Sequence, residues 1–321
     1  MRIALTGATG FVGGALVGRL LAERQEVRAL ARPSRKADEL EARGATVIRG
    51  DLSDADAIER AVEGAEVVYH LGARVSGTGT EREFMETNLG GTERVLRACA
   101  RQRVRRVVYH SSLAVYGLRD GAASITEDTP YDPKPELRGY YAESKIKADR
   151  FAASFARENG MSVIILRPGL IYGPGRLPFG LLAFGTKKTH FVFGRPDLHV
   201  PVNYIENLLD AIQLAGTWEA RETEEFNIVD EDDLTLAEYH RALNEAAGGR
   251  TTFLPAWPVE FSAPGVDLVT RALGLMRDSR FSKYQVRRMN EDRFYSTEKI
   301  RTRLGWRPRV TVGEAMKRSV G

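Results

Sequence analysis

The stretch Thr6-Gly7-Ala8-Thr9-Gly10-Phe11-Val12-Gly13-Gly14, TGATGFVGG, stands between the apolar run RIALT (Arg2 to Thr6) and the amphipathic segment VGGALVGRLLAERQ. Gly7, Gly10 and Gly13 recur at every third position, so the chain turns tightly on leaving a strand and enters a helix. Glycines there let the backbone approach a pyrophosphate. The helix N-terminus then offers unpaired N–H groups and a partial positive charge to the anion. A glycine triplet alone is common in turns; its place between strand and helix makes it informative. Gly7, Gly10, Phe11, Val12 and Gly13 are therefore expected to cradle a dinucleotide.

The same alternation continues outward. EVRALA (Glu26 to Ala31), TVIRG (Thr46 to Gly50), EVVYHLG (Glu66 to Gly72), RRVVYHSS (Arg105 to Ser112) and SVIILRPG (Ser162 to Gly169) read as buried strands, with amphipathic segments such as GTERVLRACARQ between them. Strand and helix in steady alternation predict an α/β fold, a doubly wound parallel sheet covered by helices on both faces. After Gly169 the pattern loosens. YGPGRLPFG is a Gly- and Pro-rich loop, VPVNYIENLLDAIQLA returns to strand and helix, and EEFNIVD is a further strand. The expected division is a nucleotide-binding domain over residues 1–169, to which 198–230 return, and a smaller interleaved C-terminal substrate-binding region over 170–197 and 231–321.

The 321 residues carry a formal net charge of +4. Much of the basic excess follows Arg271 in a charge-mixed tail that reads as a solvated face, so no nucleic-acid partner is expected. A single cysteine, Cys99, excludes an internal disulfide framework and suits a reducing compartment, here the cytoplasm. The N-terminus has no signal-peptide pattern, and no apolar run is long enough to span a bilayer. Neither the histidines nor Cys99 show metal-ligand spacing, and no metal is expected. His70 and His110 end strands and read as packed or hydrogen-bonded. Asp230-Glu231-Asp232-Asp233 reads as a surface loop or helix cap.

At the end of the second strand an acid would bind the adenosine ribose hydroxyls and favour NAD. Ala31 stands there instead, followed by Arg32, Ser34, Arg35 and Lys36. Arg32 and Arg35 suit a 2′-phosphate, which makes NADP(H) the expected cofactor and NAD(H) the alternative. After the third strand, Asp51 is placed to accept from the adenine amino group and Leu52 to pack on the ring.

In GYYAESKIKADR (Gly139 to Arg150), Tyr141 and Lys145 are four apart and share a helix face, whereas Tyr140 is followed at that spacing by Ser144. A tyrosine hydroxyl has a pKa near ~10 and a nearby cation lowers it, so Tyr141 is the candidate acid/base. Ser111 and Ser112 lie at a strand's C-terminal end, where open α/β sheets bind ligands. Asn88, in NLGGTERVL, is expected ahead of a helix.

Taken in order, TGATGFVGG, GDLSD, HLGAR, NLGGT, SSLAVYG, YAESK, RPGLIYGPG and the tail YSTEKIRTRLGWRPRVTVGEAM resemble the extended short-chain dehydrogenase/reductase family, the NAD-dependent epimerase/dehydratase group, over essentially the whole chain. The resemblance implies a Rossmann-type fold. It assigns Tyr141 as acid/base, Lys145 to lower its pKa and hold the nicotinamide ribose, and Ser112, four residues before Tyr116, to orient the substrate oxygen. Asn88 would support helix geometry or a proton relay. Leu71, Gly72, Ala73, Arg74, Ser111 and Pro168 would line the cofactor. Leu113 and Ala114 replace the acidic pair that dehydratases carry, which argues against dehydration. VPVNYIENLLDA and FLPAWPVEFSAPGVDLVTRALGLM are similar to the 3β-hydroxysteroid dehydrogenase and dihydroflavonol-reductase branch, whose relatives hold this region near substrate or a membrane surface. The implied activity is reversible hydride transfer to a carbonyl or secondary alcohol of a small, largely apolar or uncharged substrate. Sugar epimerisation through a keto intermediate is the alternative. A non-catalytic nucleotide sensor is the alternative of another class, and the intact Ser112, Tyr141 and Lys145 count against it. The helix after Asn88 and the one bearing Tyr141 would form a homodimer contact.

Overall fold

The computed structural model describes residues 1–75, 79–117, 124–177, 183–186, 188–220, 222–231, 233–258 and 290–320. The chain forms two compact units. The first comprises Met1–Ser112, Glu143–Arg167 and Leu209–Phe226; the second comprises Leu113–Ala142, Pro168–Leu208 and Asn227–Gly321.

The first unit is built on β1 (Arg2–Thr6), β2 (Glu26–Ala31), β3 (Thr46–Arg49), β4 (Val67–His70), β5 (Arg106–His110) and β6 (Val163–Pro168). With a later strand, Glu224–Ile228, they form a seven-stranded sheet in which β6-β5-β4-β1-β2-β3 are consecutive neighbours, paired in parallel. The order reverses between β1 and β4, and in such sheets the crevice beyond the strand ends at that reversal takes ligands. Every residue of β4 and β6 is buried, the mark of strands covered on both faces, while edge strand β3 has no fully buried residue. The expected fold class is thus the observed one, each strand lying within a residue or two of its expected ends.

Helices α1 (Phe11–Ala22), α2 (Arg35–Ala42), α3 (Ala55–Val62), α4 (Glu81–Phe84), α5 (Gly91–Arg101) and α6 (Tyr140–Glu158) follow strands or strand–loop segments. In α5, Thr92, Val95, Leu96 and Cys99 fall at helical spacing and are buried. The core under α3, α5 and α6 joins Ile58, Val62, Val95, Cys99 and Val107 to Ala148, Ala152 and Ala156 of α6. The alanines let α6 lie close against its neighbours. Burial pushes the Cys99 thiol well above its ordinary range, so it behaves as a small apolar side chain.

In the second unit, β7 (Leu170–Tyr172) pairs in parallel with a strand over Val202–Tyr204. A separate three-stranded sheet joins β8 (Ala183–Gly185), β9 (Thr189–Phe193) and a strand over Arg250–Leu254. Among the described residues, no helix is long and apolar enough to cross a membrane. Most of the proline-punctuated stretch expected near substrate, and the first part of the basic tail, lie at 259–289, outside the described residues.

Candidate active site

Gly7 adopts φ +75°, and its backbone carbonyl accepts from the Gly10 N–H at 3.0 Å, closing the turn. A Cβ on Gly13 would stand 2.1 Å from the Gly7 carbonyl oxygen, and one on Gly7 would stand 2.7 Å from the Gly72 nitrogen. Both positions are closed to any side chain. Gly10 caps α1 without a side-chain hydrogen bond, so the first N–H groups of α1 point into the turn. A cradle that Cβ atoms would fill, ending on an uncapped helix, fits the pyrophosphate of a dinucleotide.

A directed chain of hydrogen bonds runs beneath this turn. The Gly72 N–H donates to Thr6 Oγ1 (3.1 Å), and Thr6 Oγ1 meets His70 Nδ1 (2.7 Å). His70 Nε2 meets Thr92 Oγ1 (3.0 Å), and that hydroxyl donates to the Asn88 carbonyl at 2.6 Å. Because Thr92 spends its proton on Asn88, His70 must donate from Nε2 and accept at Nδ1. This requires the neutral ring. Burial, and then the charges of Lys145 and His110, lower its pKa to about 3. Asn88 itself holds Arg74 at both backbone groups: Oδ1 accepts from the Arg74 N–H (2.7 Å) and Nδ2 donates to its carbonyl (3.0 Å) and to Ser144 Oγ (2.8 Å).

Asn88 does not lie ahead of a helix, as the sequence suggested. It sits in a π-helical turn, Met85–Gly90, inside a continuous helical run that starts at Glu81. The run starts early because Thr80 and Glu83 form a capping box. That Thr-x-x-Glu pattern was the signal available in the sequence. The wider π turn swings Asn88 inward, a use of π turns common at functional positions.

Tyr141 and Lys145 fall one turn apart on α6, and Tyr141 is half-buried. Lys145, 2% exposed, donates from Nζ to the His110 carbonyl (2.7 Å) and to the Tyr109 hydroxyl (3.2 Å). Burial lowers its pKa to about 8, and the Asp149 carboxylate, one further turn on, opposes that shift. Asp149 is fully buried. It accepts from Arg167 Nη2 at 2.7 Å and Nε at 3.1 Å, and from the Ser111 hydroxyl. One ion pair thus ties the end of β5, the helix of Lys145 and the end of β6. The sequence reading passed over Asp149, although Tyr141, Lys145 and Asp149 form an i, i+4, i+8 series. Arg167 went unremarked, and Ser144 was noted only for its spacing from Tyr140, not as the partner of Asn88.

Leu52 sits where a Cβ on Gly91 would touch its Cβ at 2.9 Å and one on Gly72 would touch its Cδ1 at 3.1 Å, so two glycines make its seat. Asp51 is exposed and accepts from the Ser53 N–H (2.8 Å) and hydroxyl (2.6 Å). These bonds, the hydroxyl's first, with a smaller contribution from Arg32, hold its carboxyl below the usual range. Asp54, not Asp51, caps α3. Arg32 and Arg35 are exposed on the loop after β2, where Ser34 caps α2 and Arg35 meets Glu39 at 3.0 Å. Leu71, Gly72, Ala73 and Arg74 follow β4, Ser111 and Ser112 follow β5, and Pro168 ends β6.

One surface expectation fails in the second unit. Asp230 is 2% exposed; it accepts from the Tyr204 N–H (2.6 Å) and from Asn203 Nδ2 (3.3 Å). Burial raises its pKa to about 7 against those bonds. Charge density read from four successive residues does not reveal that the first turns inward. Among the described residues no His, Cys, Asp and Glu cluster is placed to hold a metal ion.

Residues 3–228 match the family model of the NAD dependent epimerase/dehydratase family. The chain is similar to the 3 beta-hydroxysteroid dehydrogenase/Delta 5-->4-isomerase of Mycobacterium tuberculosis, at 30% identity over 98% of this chain and 88% of that protein. It is similar to the 2-alkyl-3-oxoalkanoate reductase of Shewanella oneidensis, at 25% identity over 98% of this chain and 84% of that protein. Among solved structures, the UDP-glucose 4-epimerase of Thermus thermophilus in complex with NAD superposes with a TM-score of 0.72 at 25% identity, covering 100% of this chain and 98% of that one.

Proposed function

Because the chain belongs to the NAD-dependent epimerase/dehydratase family, we propose that it interconverts a carbonyl and a secondary alcohol on a small, largely apolar or uncharged molecule. The observation that carries this reading is Tyr141 one helical turn before a Lys145 whose ammonium is fixed on the His110 carbonyl and the Tyr109 hydroxyl. A bound nicotinamide supplies or accepts the hydride. In the reducing direction Tyr141 gives its hydroxyl proton to the substrate oxygen as the carbon is reduced. Lys145 stabilises the phenolate left behind. Ser112, four residues before Tyr116 as the family's catalytic Ser/Thr stands, donates to the same oxygen, while the neighbouring Ser111 hydroxyl meets Asp149. Asn88 keeps Arg74 and Ser144 in place beside this set.

Gly7, Gly10, Phe11, Val12 and Gly13 hold the pyrophosphate in this reading, and Asp51 and Leu52 the adenine. Leu71 to Arg74, Ser111 and Pro168 line the rest of the cofactor. The exposed Arg32 and Arg35, with Ala31 in place of an acid, support NADP(H) over NAD(H). The second unit supplies the substrate region. The similar proteins named 2-alkyl-3-oxoalkanoate reductase and 3 beta-hydroxysteroid dehydrogenase/Delta 5-->4-isomerase, one a reductase of an oxo acid and one a dehydrogenase of a hydroxysteroid by name, support the same reading. A homodimer through α5 and α6, where Arg97 lies over Phe151 and Phe155, and a cytoplasmic location belong to the same proposal.

The test starts with the purified protein, denatured to identify any nucleotide it carries. NADPH and NADH oxidation is then followed with 3-oxosteroids and 2-alkyl-3-oxo acids. The expected result is NADPH-dependent reduction that falls by about 10²- to 10⁴-fold in Tyr141→Phe. Tightly held stoichiometric NAD(H), with turnover on UDP-sugars instead, would establish the epimerase alternative. Full activity in Tyr141→Phe would overturn the mechanism.

A further inference from the structure

The turn that follows Ser112 is gripped by a guanidinium that the assignments so far leave out. Arg138 is 3% exposed and lies three residues before Tyr141. Its Nη1 donates to the Tyr116 carbonyl (2.7 Å) and to Asp132 Oδ2 (2.5 Å), and its Nη2 donates to the Ala114 carbonyl (2.8 Å). Asp132 is fully buried. Its own N–H donates to the Val115 carbonyl (2.9 Å), and its Oδ1 accepts from the Lys134 N–H (2.9 Å). Three successive carbonyls, those of Ala114, Val115 and Tyr116, therefore end on one Arg–Asp pair. Room for the carboxylate comes from Gly117, where a Cβ would stand 2.7 Å from the Asp132 Cγ.

Stability does not explain this arrangement. A buried ion pair gains little over an apolar pair of the same volume, because desolvation consumes the Coulomb attraction. What the pair provides is geometry. A planar fork reaches two carbonyls and a carboxylate at once, which a lysine ammonium on a flexible stem does not reproduce. The carbonyls belong to the residues two to four positions after Ser112, and Arg138 caps the short turn Pro135–Leu137, two residues before α6 begins at Tyr140.

We propose that Arg138, locked by Asp132, is a positioning residue that fixes the turn after Ser112 to the entry of the Tyr141 helix. The inference rests on the catalytic reading given above. Other charged or titratable groups around Arg138 are Arg293, which pairs with Glu291 at 2.7 Å, and Tyr295, whose ring centroid lies 6.2 Å from that of Tyr116. Neither replaces the three carbonyl contacts.

The test reads Tyr141 itself and needs no substrate. Tyrosinate absorbance near ~295 nm is titrated with saturating NADP⁺ in the parent, in Tyr141→Phe, in Arg138→Lys and in Asp132→Asn; subtracting Tyr141→Phe isolates one of the eleven tyrosines. A loosened helix entry moves the phenol from Lys145, so its midpoint rises by about one pH unit, a tenfold change in ionisation constant. Asp132→Asn separates position from charge. Removing a negative charge by itself favours the phenolate and lowers the midpoint; releasing Arg138 raises it. Upward shifts in both variants support the inference. An unchanged midpoint in both, or a downward shift in Asp132→Asn, overturns it. If Arg138→Lys does not fold, Asp132→Asn, which exchanges one oxygen for nitrogen, carries the measurement alone. If the parent shows no tyrosine that titrates early and disappears in Tyr141→Phe, the catalytic reading itself fails and the inference falls with it. That outcome is distinct from an early-titrating Tyr141 indifferent to Arg138.

Discussion

Replacing Asp149 by asparagine preserves shape and removes one charge from the ion pair beneath the site. Asp149 and Arg167 are buried, at 0% and 2% exposure, and share two bonds of 2.7 and 3.1 Å. Two unit charges about 4 Å apart attract by about 4 kcal/mol at an effective dielectric of about 20. In Asp149→Asn that attraction is lost, and Arg167, which cannot shed its proton, stays charged and buried. The expected cost is about 3–5 kcal/mol, nearly independent of pH between about 5 and 8. Arg167→Met behaves differently, because the stranded Asp149 can protonate. Its pKa rises above the unfolded value, so the variant is most stable at low pH and loses stability as pH rises through the raised value. The double variant Asp149→Asn/Arg167→Met has no charge left to strand, and its loss falls short of the summed single losses by at least about 1–3 kcal/mol. Urea unfolding at pH 5 and pH 8, followed by circular dichroism and by tryptophan fluorescence, measures all three. A cost below about 1 kcal/mol for Asp149→Asn, or additivity in the double variant, would refute the view that this pair anchors the end of β5, α6 and the end of β6 to one another.

Gly13→Ala places a Cβ 2.1 Å from the Gly7 carbonyl; dinucleotide affinity, measured by calorimetry, should fall more than about tenfold, with about 1–3 kcal/mol lost from the fold through overpacking. Lys145 titrates at about 8 in the folded chain against a reference of 10.5. The unfolded chain therefore binds the extra proton between those values, and stability rises with pH across that window, by about 3 kcal/mol from this group. Lys145→Met should lack that slope, and equal slopes in the two proteins would count against the buried ammonium. Thr92→Val keeps the side-chain volume but leaves the Asn88 carbonyl and His70 Nε2 without their hydroxyl. A loss of about 1–3 kcal/mol in urea unfolding is expected, and a neutral result would break the proposed hydrogen-bond chain.

The sequence by itself determined whatever is decided within one element and its neighbours. The glycine turn was legible because three-residue spacing, a preceding strand and a following helix all lie within about twenty residues. The alternating strands and the family followed for the same reason, and Tyr141 with Lys145 followed from the repeat of one helix. Only the tertiary structure decided which groups meet across the sheet. Thr6 faces His70 because β1 and β4 pair in that register, at a separation of 64 residues. Ser111 and Arg167 reach one carboxylate because β5 and β6 end side by side, with the Ser111 N–H on the Leu166 carbonyl. No local periodicity encodes such a register. Strand order and pairing set it, and in the second unit contacts with the strand Val202–Tyr204 turn Asp230, a residue with the sequence marks of a surface loop, into a buried acid.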